Sequence, residues 1–156
     1  MIEAQLFALT KAQVDAVTMA GDAGHPLYSL DVHDHLFRPM RIVEAPDAIR
    51  FGRATGEKGI GAGAEQIFET DCDIPVLVYV LITGDGQNND DQRNVAFERA
   101  DAIANAFILW LWNEGQGQGT LYWEQGAVSF ARIDHTYDSN PYAVVSFTIR
   151  IGEHNC

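Results

Sequence analysis

The chain has 156 residues, 47% of them hydrophobic and 21% charged, with 10 basic against 22 acidic side chains and a formal net charge of −12. That length fits one domain with a single core, in which roughly 70% of the unfolded chain's surface is hidden, and the composition excludes wholesale disorder. The acidic balance argues against tight binding to nucleic acid or to an anionic membrane, because phosphate recognition needs a basic surface. It is compatible with a surface that nucleic acid must slide past.

Two cysteines, Cys72 and Cys156, stand far apart and form no disulfide framework, so a reducing compartment is the simpler expectation. The first residues, MIEAQLFALTKAQVDAV, lack the basic-then-apolar layout of a signal peptide. The longest apolar run, Ile74 to Ile82, is far shorter than the ~20 residues of a membrane span. These features predict a soluble protein, cytosolic where it is made.

Ile2, Leu6, Leu9, Ala16, Val17 and Ala20 recur at roughly helical spacing, and Gly21, Gly24 and Pro26 end that helix. Leu27 to Pro46 mixes short apolar pairs with histidine, aspartate and proline, which predicts short strands and turns. Ala48 to Thr55 alternates apolar and basic residues as an outer strand does. Gly56 to Gly63 (GEKGIGAG) reads as a mobile loop or hairpin tip, ordered on assembly. Gln66 to Thr70 begins a strand that runs through Asp73 into IPVLVYVLI. That run is apolar at every position, so both faces of the strand are expected to be covered, one by helices and the other by a second subunit. Pro75 cannot donate to a ladder and belongs at the strand's start or on its edge side.

Asn88, Asn89 and Asp90 suit a helix N-cap. From Asp91 to Trp112 the residues Ala96, Ala100, Ile103, Ala104, Phe107, Ile108 and Leu111 form one apolar stripe on a helix about 33 Å long. Gly115, Gly117 and Gly119 break it. Two strands follow, Ala127 to Asp134 and Tyr142 to Ile151, joined as an antiparallel hairpin through His135 to Pro141. In the last strand Ala143, Val145, Phe147, Ile149 and Ile151 face one way, and Tyr142, Val144, Ser146, Thr148 and Arg150 the other. The whole predicts an α+β fold, a mostly antiparallel sheet packed against one long helix and an N-terminal helix.

Candidate chemistry is sparse. Asp31, His33 and His35 would share a strand face, with His25 nearby, but two histidines do not complete a zinc site and surface histidines are the plainer reading. The loop from Asp85 to Asp91 has Ala96 where a calcium loop needs glutamate, so its acidic residues are expected to cap the helix. The glycines of GEKGIGAG match neither a phosphate loop nor a dinucleotide fingerprint. None of the four serines sits in GxSxG, and Asp71 and Asp73 flank Cys72 with charges unfavourable to a thiolate. Asp71 and Asp73 read as solvated charges. Trp110, Trp112 and Trp123 either stack a ligand or complete a core or interface. No catalytic residue, metal or cofactor is expected.

The order of elements is an N-terminal helix (Ile2–Ala20), a glycine-tipped hairpin region (Ile49–Phe68), a central apolar strand (Ile74–Ile82), a polar loop, one long helix (Asp91–Trp112) and a closing hairpin (Ala127–Ile151). That order resembles the tail terminator, or tail completion, proteins of long-tailed bacteriophages. The resemblance covers most of the chain and rests on pattern, with no short diagnostic motif. It implies a structural subunit of a homo-oligomeric ring, usually a hexamer, that caps the tail tube, ends its polymerisation and presents a head-facing surface to a connector or neck protein. DNA would pass through the lumen without specific binding, and the protein would reside in the virion. Gly59, Ile60 and Gly61 are then expected in an assembly loop, and Val76, Val78 and Val80 in a subunit-contact strand. A head–tail connector or neck protein is the neighbouring alternative. A small metal-dependent enzyme using His33 and His35, and a small-molecule binding module, are alternatives of other classes.

Overall fold

The computed structural model describes residues 2–33, 47–53, 55–60, 67–82, 89–115, 121–123, 128–137 and 140–153. Its elements are α1 (Ile2–Met19), β1 (Asp31–His33), β2 (Ala48–Phe51), β3 (Thr55–Ile60), β4 (Ile67–Leu81), α2 (Asn89–Trp110) with a π-helical turn at Leu111–Gly115, β5 (Leu121–Trp123), β6 (Ala131–Tyr137) and β7 (Asn140–Glu153). The fold is α+β, with the seven strands of the described residues in one sheet.

Two long strands make the sheet's spine. β4 and β7 pair antiparallel from Asp71–Gly152 to Leu81–Tyr142. Each then carries two short strands end to end on its outer side: β2 and β3 on β4, β5 and β6 on β7. β1 adds beyond β2 in a parallel pairing. The segment expected as an outer strand is therefore an inner one over Ala48–Phe51, because β1 covers its edge. Of the segment expected as a mobile loop or hairpin tip over Gly56 to Gly63, Gly56 to Ile60 is strand, paired antiparallel with β4 with a register shift between Glu57 and Lys58, and Gly61 to Gly63 lie outside the described residues. The ladder is made by the backbone, so a glycine-rich segment can join it.

Pro75 lies inside β4, not at its start. Its carbonyl accepts a hydrogen bond from the Gly52 N–H at 2.7 Å. The missing donor of Pro75 therefore falls on the side where β2 has ended and β3 has not begun, the edge-like gap a strand proline tolerates. A Cβ at Gly52 would lie 3.0 Å from the Pro75 Cβ, so this junction has room only for glycine unless the proline shifts.

Both helices pack apolar residues against the same sheet face, though Ala16 and Ala20, expected on the stripe of the first helix, are exposed. α1 contributes Leu6, Thr10 and Val14, with Phe7, Leu9 and Val17 partly covered. The buried Thr10 hydroxyl donates to the Leu6 carbonyl at 2.8 Å and so is satisfied within its own helix. α1 ends at Met19, and Gly21 just beyond it has a φ of +72°, which suits the left-handed turn after a helix. The Thr18 hydroxyl donates to the Val14 carbonyl and accepts from the Ser29 N–H, fixing the return toward β1. α2 buries Ala96, Ala100, Ile103, Ala104, Phe107, Trp110 and Leu111, close to the expected stripe, with Ile108 only partly covered. Around Phe107 the rings of Phe51, Trp110 and Phe147 stand at centroid distances of 5.9–6.1 Å, in the tilted geometry that aromatic pairs favour. Phe130 extends the cluster at 5.2 Å from Phe147.

The β6–β7 hairpin is tighter than expected. Its strands run to Tyr137 and resume at Asn140, and β6 begins at Ala131 rather than Ala127. The parity of β7 is as read: Ala143, Val145, Phe147, Ile149 and Ile151 enter the helix-side core. Among the described residues no helix is long and apolar enough to cross a membrane.

Candidate functional site

The sheet has a second face, turned away from both helices, and the alternation of β4 defines it. Ile74, Val76, Val78 and Val80 point to the helices and are buried. Pro75, Leu77, Tyr79 and Leu81 alternate with them and are half-buried. Val76, Val78 and Val80, expected in a subunit-contact strand, turn their side chains to the helix-side core. They are 0%, 0% and 5% exposed within the subunit. A contact through this strand would fall on Leu77, Tyr79 and Leu81.

These three half-buried side chains pack around a small buried cluster of Ala48, Tyr142 and Val144. The registers place the residues side by side: Ala48 beside Tyr79, Tyr79 beside Val144, and Leu81 beside Tyr142. Tyr79 meets Tyr142 edge-on, with centroids 6.1 Å apart and planes at 77°. β6 continues the patch through Ile133, which sits opposite Val144 and is exposed. Toward the other end of the same strands the face turns polar. Ser146 and Thr148 follow Val144, and Asp73 faces Arg150 at 3.8 Å across the β4–β7 ladder. Asp73 thus has an ionic partner as well as solvent. The outer face is apolar at one end and charged at the other.

Tyr142 is the unusual member. It is 2% exposed, and its hydroxyl has no hydrogen-bond partner among the described residues. Burial raises its pKa, because the phenolate would lose hydration without gaining a donor.

The histidine cluster resolves in part. In β1 the His33 Nε2 lies 2.7 Å from the Asp31 Oδ2, as the shared strand face predicts. His25 Nδ1 accepts from the Leu27 N–H at 3.1 Å and so shapes the turn before β1. His35 lies outside the described residues. Among the described residues no three histidine, cysteine, aspartate or glutamate side chains gather as metal ligands. The three tryptophans are dispersed in role. Trp110 is buried against Phe107, Trp112 is exposed on the turn after α2, and Trp123 belongs to β5, opposite Ile151. Gly59 and Ile60 belong to β3, paired with Phe68 and Ile67, while Gly61 lies outside the described residues.

Two ion pairs fasten the surroundings of the sheet to α2. Arg99 meets Asp47 at 3.0 Å, just before β2, and Arg132 of β6 meets Asp101 at 2.6 Å. The hydrogen bond to Asp101, reinforced by its charge, raises the Arg132 pKa further above the usual guanidinium range.

Sequence reasoning missed the outward residues of β4 because a continuous apolar run has no visible alternation. A subtler signal was present. The inward positions are all β-branched (Ile74, Val76, Val78, Val80), whereas the outward ones are Pro75, Leu77, Tyr79 and Leu81. A tyrosine, with one polar end, and a proline mark the side less fully enclosed. No family model matches this chain, and no curated protein is significantly similar to it.

Proposed function

We propose that this chain is the ring-forming tail terminator subunit of a long-tailed bacteriophage. In this reading, copies assemble as a closed ring, six-fold by the resemblance, that caps the tail tube, stops its growth and offers the head-facing joining surface. The observation that carries the proposal is the second apolar face of the sheet. Leu77, Tyr79 and Leu81 are half-buried in a single subunit, and Ile133 beside them is exposed. A neighbour seated there would complete their burial, at about 25 cal/mol for each Å² of apolar surface covered. Further support comes from the element order and from the net charge of −12, which would keep DNA phosphates from sticking in a lumen within a screening distance of about 8–10 Å. A ring requires head-to-tail contacts that close on themselves.

Light scattering and negative-stain imaging of the purified chain, alone and with tail-tube protein, test the proposal. A closed ring with a central hole, seated on the end of the tube, is the expected result. A strict monomer at high concentration that forms no ring with tube protein overturns it. A ring that binds connector protein and ignores the tube would instead assign the chain to the neck.

A further inference from the structure

We draw no further inference here: the strongest candidate, the outward apolar stripe of α2 on which Val95 and Leu109 stand exposed, is a helix face for which nothing in the structure shows what covers it.

Discussion

The two faces of the β4–β7 sheet are built from the same two strands and differ in what encloses them. On the helix side, Val76, Val78, Val145 and Ile149 are sealed by α1 and α2 with an aromatic cluster at the centre. On the outer side, a cluster of three buried residues is ringed by half-buried Leu77, Tyr79 and Leu81. The comparison separates two roles that an apolar strand can play at once. One face supplies the subunit's stability, and the other is the surface that the proposed ring would use for assembly. Substitutions on the two faces should therefore fail in different ways.

The largest effect is expected on the helix side. Val78→Asp places a carboxylate in the sealed layer, and such burial of an unpaired charge costs more than about 4 kcal/mol, enough to leave the chain unfolded by circular dichroism. Phe107→Ala removes the ring at the centre of the aromatic cluster and should lower stability by about 3–5 kcal/mol in urea titration. Gly52→Ala should cost about 1–3 kcal/mol, because the added methyl meets the Pro75 ring inside the sheet. An unchanged urea midpoint for Gly52→Ala would mean that Pro75 yields without strain.

Smaller effects sharpen the outer face. Tyr142→Phe deletes a buried hydroxyl that has no partner among the described residues and should be neutral or stabilising by up to about 1 kcal/mol; a loss of stability would reveal a partner for that hydroxyl. The pH dependence of the wild type carries the same point. The folded state holds the Tyr142 proton more tightly than the unfolded state does, so this contribution is fully present below about pH 10 and is lost as pH rises through the folded value. Urea titrations above pH 10 should show that decline, and Tyr142→Phe should lessen it. Least of all, Arg132→Ala should leave the melting temperature nearly unchanged, since its pair with Asp101 is exposed and screened by solvent.

Much of this fold was legible in the residues. The 3.6-residue recurrence from Ala96 to Leu111 placed α2, and the strict alternation from Tyr142 to Ile151 assigned that stretch of β7 to its two faces. Both patterns are local, and each has polar residues to set the phase. Between Ile74 and Leu81, β4 has only the weaker markers Pro75 and Tyr79, so its two faces are hard to tell apart in the sequence. β1 and β3 were harder for another reason. Three residues paired in parallel with a distant segment, and a glycine-rich strand held by backbone ladders, owe their form to neighbours and not to their own side chains. The candidate site was legible as a strand and illegible as a face.

In the proposed ring, Leu77 and Leu81 carry the contact between neighbours. Light scattering of the wild type beside the Leu77→Arg, Leu81→Arg double variant, each first shown by circular dichroism to be folded, measures their role directly. A closed multi-subunit particle for the wild type and a folded monomer for the variant is the predicted result. A wild type that stays monomeric at high concentration, or a variant that assembles as the wild type does, would contradict it.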